Sequence, residues 1–173
     1  MDVYCLTFGQ FDLSDVIEHL LNEIGEADVV VATWTAGAAD LERASRLLDE
    51  DLFASLRFIC DQSFPARQPE YYSKLVDRFG VASVVLTRSH CKFVLLAGGD
   101  YRIVVRTSMN LNANRRLENL EISDDPRLYA FMLDVVEEVF AEGGSKQPPV
   151  LAAIKGVKPS QRVRVGAAVR VGQ

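Results

Sequence analysis

The chain has 173 residues, 49% hydrophobic and 25% charged, which is enough for one domain with its own core. Its net charge of −5 does not by itself point to a polyanionic partner. No apolar run reaches the roughly 18–20 residues that span a bilayer, and Met1-Asp2-Val3-Tyr4 does not open like a signal peptide.

The charge is uneven. Lys155, Lys158, Arg162, Arg164 and Arg170 stand among residues 151–173 without an acid, leaving −10 on residues 1–150. An acidic body with a basic tail matters because local charge steers a polyanion better than net charge does. Cys5, Cys60 and Cys91 form no C-x-x-C pair and leave an odd thiol. Cys5 and Cys60 lie in apolar runs, so they read as reduced core residues of a cytoplasmic protein.

In chain order, β-branched runs alternate with amphipathic segments, the pattern of an α/β domain. Val3–Phe8 is a first strand. Asp12 or Ser14 caps a helix to about Gly25, with Val16, Ile17, Leu20, Leu21 and Ile24 on one face. Asp28–Trp34 is nearly all apolar, the mark of a strand buried on both faces. A helix from Ala38 to about Asp51 and a strand over Leu56–Cys60 follow, then a loop over Gln62–Pro69 and a helix over Glu70–Phe79. Ala82–Thr87, Lys92–Ala97 and Tyr101–Arg106 are strands, the last two joined by a hairpin at Gly98-Gly99-Asp100. Asp124-Asp125-Pro126 opens a last helix to about Glu142. The expected domain covers residues 1–142. Residues 143–173 begin with the linker Gly143-Gly144-Ser145-Lys146-Gln147-Pro148-Pro149 and continue as a basic tail.

Chemistry concentrates in Ser89-His90-Cys91-Lys92, Arg106-Thr107-Ser108-Met109-Asn110 and Glu118-Asn119-Leu120-Glu121. His90 and Lys92, two apart at a strand start, leave the same face. The returning antiparallel strand brings Ser108 and Asn110 to the same end. An imidazole, an ammonium, a hydroxyl and a carboxamide around one volume suit a phosphate. A metal is less well served, because no acid or cysteine cluster has ligand spacing. Trp34 and Thr35 end a strand where open α/β sheets place ligands. Arg67, Arg115 and Arg116 are candidate contacts to backbone phosphates.

These residues resemble the signature of the phospholipase D-like superfamily: H-x-K, an aspartate after four more residues, G-S-x-N after a further six, and a downstream N-x-E. His90-x-Lys92, Ser108-x-Asn110 and Asn119-x-Glu121 match in order. Two positions depart from it. Ala97 stands where the aspartate belongs, with Asp100 three residues later, and Thr107 replaces the glycine.

The resemblance implies a mixed sheet flanked by helices and a metal-independent phosphodiesterase with no cofactor. In it, His90 attacks phosphorus while a second histidine protonates the leaving oxygen. Lys92, Asn110 and Ser108 hold the phosphate oxygens, Glu121 orients the imidazole of the opposite site, and Asn119 lies beside the substrate. Glu118 competes for the glutamate role, and spacing favours Glu121.

The other histidine, His19, lies in the first helix without a following lysine motif, so a complete site calls for a homodimer. The expected substrate is nucleic acid, as for the small bacterial endonucleases of the family, and no membrane partner is expected. The competing expectation, favoured by Ala97 and Thr107, is an inactive phospholipase D-like DNA-binding or assembly protein of the kind found on phages and prophages.

Overall fold

The computed structural model describes residues 2–112 and 115–144. Seven strands form one mixed sheet: β1 (Asp2–Thr7), β2 (Ala27–Thr33), β3 (Phe53–Asp61), β4 (Val84–Thr87), β5 (Phe93–Gly98), β6 (Tyr101–Thr107) and β7 (Glu118–Asp124). Their order is β1-β7-β6-β5-β2-β3-β4. β2, β3 and β4 run parallel, and every other neighbouring pair is antiparallel. Among the described residues five α-helices accompany them: α1 (Leu13–Ile24), α2 (Ala38–Asp49), α3 (Phe64–Arg67), α4 (Pro69–Phe79) and α5 (Pro126–Ala141).

Strand alternation divides the core into two layers. Val29, Val31, Val94, Leu96 and Val105 pack with Leu13, Ile17 and Leu21 of α1, Leu41 and Leu47 of α2, and Leu75 of α4. Val30, Ala32, Leu95 and Val104 face the other way, against Tyr129, Val136 and Val139 of α5. β2 is apolar from Val29 to Ala32, where both its faces are covered.

Local chemistry fixes the ends. Asp12 accepts from the Asp15 N–H at 2.9 Å while Asp15 accepts from the Asp12 N–H at 2.8 Å, a reciprocal cap at the start of α1. At the β5–β6 hairpin a Cβ on Gly98 would lie 2.8 Å from the Glu26 carbonyl oxygen, and Gly99 adopts a positive φ of 51°.

Three sequence expectations are refined. Glu118–Asp124 is a strand, not only a motif-bearing segment, and it places β1 in the sheet. The expected loop over Gln62–Pro69 contains α3. Lys92 precedes β5 instead of opening it. Cys60 is buried, Cys5 half-buried and Cys91 exposed, all three free; burial pushes the Cys60 thiol up to about 12, with the Asp61 charge adding to the effect. No helix among the described residues is long and apolar enough to cross a membrane. The basic tail lies outside the described residues.

Candidate active site

Topology sends the carboxyl ends of β1, β2, β3, β4 and β6 and the amino ends of β5 and β7 to one end of the sheet. The sequence motifs meet there. Lys92 Nζ donates to the His90 carbonyl oxygen at 2.7 Å and lies 3.0 Å from His90 Nδ1 and 3.3 Å from Nε2. An ammonium has only donors, so a ring nitrogen that receives from it is the unprotonated one. His90 is exposed and Lys92 half-buried. Burial lowers the Lys92 pKa, and nearby Cys91 and Glu118 partly oppose that shift.

Asn110 reaches the same end from the other side. Its Oδ1 accepts from the Trp34 backbone N–H at 3.2 Å, which leaves its NH2 as the group able to donate to an anion. The loop that carries it is tied to the end of β2. Thr33 Oγ1 accepts from the Leu111 N–H at 3.0 Å and donates to the Thr35 carbonyl at 2.6 Å, and Gly37 N donates to the Leu111 carbonyl at 2.8 Å. Ser108 Oγ accepts from the Asn119 N–H at 3.0 Å and donates to the Glu118 carboxylate.

Thr107, which stands in the glycine position of the motif, turns its hydroxyl into the β6–β7 junction. It donates to the Asn119 carbonyl at 2.6 Å and accepts from the Met109 N–H at 3.0 Å.

Trp34 stands next to His90, with ring centroids 5.9 Å apart and planes at 52°. The Arg67 guanidinium carbon lies 3.7 Å from the Trp34 ring centroid, and Arg67 donates to the Trp34 carbonyl at 2.9 Å and to Ser63 Oγ at 2.9 Å. Arg67, Trp34, His90 and Lys92 therefore form a continuous basic-aromatic strip.

Other candidates fall elsewhere. Thr35 is buried, and its hydroxyl is directed at Gln68. Arg115 and Arg116 are exposed in the segment leading to β7. Asn119 joins the site through its main chain. Glu121 is ion-paired with Arg106, its register partner on β6. Alternation along β7 puts Leu120 and Ile122 on the α1–α2 side and Glu121 on the α5 side. Glu118 is thus the glutamate that contacts Ser108, whereas Glu121, expected to meet the imidazole of a second chain, pairs with Arg106 on the other face of the sheet. The available signal was that alternation: Glu118 shares the parity of Leu120 and Ile122. Asp100 sits in the hairpin at the opposite end of β5, about 20 Å away for a strand of this length.

No family model matches the sequence, and no curated protein matches it. Solved structures do resemble the fold. NucT from Helicobacter pylori superposes with a TM-score of 0.56 at 16% identity, covering 82% of this chain and 95% of that one. Nuc from Salmonella typhimurium, described as a phospholipase D family member, superposes with a TM-score of 0.50 at 11% identity, covering 78% and 91%. The fold is phospholipase D-like. A phosphatidylserine synthase from Haemophilus influenzae Rd KW20 gives a TM-score of 0.55 at 16% identity; there the match covers 84% of this chain and 39% of that larger one. In this phospholipase D-like sheet, the H-x-K and S-x-N segments occupy one sheet end.

Proposed function

We propose that the chain is a metal-independent phosphodiesterase acting on nucleic acid, with a site completed by a second copy. The observation that carries this reading is the convergence of His90, Lys92, Ser108 and Asn110 at one end of a phospholipase D-like sheet.

A ring nitrogen of His90 attacks phosphorus as the bond to the leaving oxygen breaks. The second chain's copy of the same histidine gives that oxygen its proton. Water then attacks the phosphohistidine, passes a proton to that second imidazole and restores the free ring. Lys92 and the Asn110 NH2 bear the negative charge that builds on the non-bridging oxygens. Glu118, which holds Ser108 and faces Lys92, takes the glutamate role for which the spacing had favoured Glu121. Arg67, Arg115 and Arg116 supply phosphate contacts along the strand.

The test is cleavage of single- and double-stranded DNA in EDTA, with trapping of an acid-labile phosphoenzyme. H90A should lose about 10³-fold or more in rate and form no adduct. Full cleavage by H90A would reject the assignment. A second reading is supported by the Ser108–Glu118 bond: a carboxylate engages a hydroxyl that an incoming phosphate would use. On that reading the protein is a binder, retaining Lys92-dependent DNA affinity and cleaving under no condition.

A further inference from the structure

The two faces of the sheet are unequally covered. α1, α2 and α4 pack on one side, whereas α5, alone on the other, lies over β4, β5 and β6. Among the described residues, no helix covers the β1–β7 flank on the α5 side. Cys5 packs toward the α1–α2 side, so alternation turns Tyr4 and Leu6 to the uncovered side, where they are 67% and 57% exposed. Their register partners are Glu121 and Asn119. Just beyond the paired residues, Phe8 and Leu117 are also exposed, at 62% and 63%.

We propose that this face, comprising Tyr4, Leu6, Phe8, Leu117 and the Arg106–Glu121 pair, is where a second copy of the chain docks. An exposed apolar strip of this kind marks an interaction surface. The charges on it select the partner. One guanidinium and one carboxylate lie side by side, so a two-fold axis lets Arg106 of each copy meet Glu121 of the other. The strip is also continuous with the candidate site, because Arg106 leads into Thr107-Ser108 and Asn119 follows Glu118. The inference rests on the reading that two chains share one site, and it names the surface that joins them.

Sedimentation equilibrium on the full chain tests it. The wild type should be a dimer. L6E and Y4E, both at exposed positions, should raise the dimer dissociation constant by about 30-fold or more with an unchanged circular dichroism spectrum. Y101E, on the hairpin at the far end, should leave it unchanged. R106E and E121R should each weaken self-association, and their equimolar mixture should restore it. A monomeric wild type, or a dimer indifferent to both L6E and Y4E, would overturn the surface. DNA cleavage is scored separately. An L6E-sensitive dimer that never cleaves supports the interface while rejecting the enzyme, whereas cleavage by a monomeric wild type rejects the interface.

Discussion

Lys92 is the side chain through which anion binding can be separated from turnover. Burial disfavours its charged form, so its proton leaves below the ordinary lysine value of 10.5. The protonated ammonium is the binding form, which fixes the sign. Affinity for a short oligonucleotide should be full at neutral pH and fall as pH rises through that lowered value. K92R, which stays charged, should move the fall to higher pH. Fluorescence anisotropy across pH reads this directly, and identical profiles for the two proteins would remove Lys92 from the cradle. The two glutamates are separable as well. E118Q should lower the cleavage rate by about 10²-fold at every protein concentration. E121Q loses an exposed ion pair at the docking face, so any loss should disappear as the protein is concentrated. The opposite pattern would return the role to Glu121.

At the scale of elements, the cradle depends on how firmly the segment after β6 is held to the end of β2. Thr33 is buried, and its hydroxyl both accepts from Leu111 and donates to Thr35. T33V keeps the shape but leaves the Leu111 N–H without that acceptor, a cost of about 1–3 kcal/mol. Urea denaturation should show that loss together with weaker oligonucleotide binding, and T33S should recover both. A T33V protein as stable as wild type would show that the loop is held by other means.

The same elements explain what the sequence made legible. β2 and α1 were readable because burial on both faces and a 3.6-residue apolar stripe leave unambiguous periods. The convergence of His90, Lys92, Ser108 and Asn110 was readable because a hairpin returns the residues after β6 to the start of β5. β7 was not, because its polar residues Glu118, Asn119 and Glu121 obscure a strand that only tertiary pairing with β1 and β6 reveals. Counting residues from Asn110 likewise does not say which side of a strand each glutamate occupies.

For the molecule as a whole, charge is the remaining constraint on a nucleic-acid partner. Residues 1–150 carry −10, which repels a polyanion over the roughly 8–10 Å that salt leaves unscreened. Against this, Arg67, Lys92, Arg115 and Arg116 place positive charge in the segments around one end of the sheet. Those few cations must act against the field of the body, so the five bases among residues 151–173 are the natural supplement. Each base that meets a phosphate releases condensed counterions and adds about 0.7–0.9 to the slope of log affinity against log salt. Replacing Lys155, Lys158, Arg162, Arg164 and Arg170 with glutamine in the full chain should reduce that slope by up to about 4 and weaken binding most at low salt. Cleavage of a bound oligonucleotide at saturation should be unchanged if, as proposed, His90 supplies the chemistry and the tail only attraction. An unaltered salt slope would mean that the tail takes no part in holding nucleic acid, and the body's own cations would then have to account for all of the affinity.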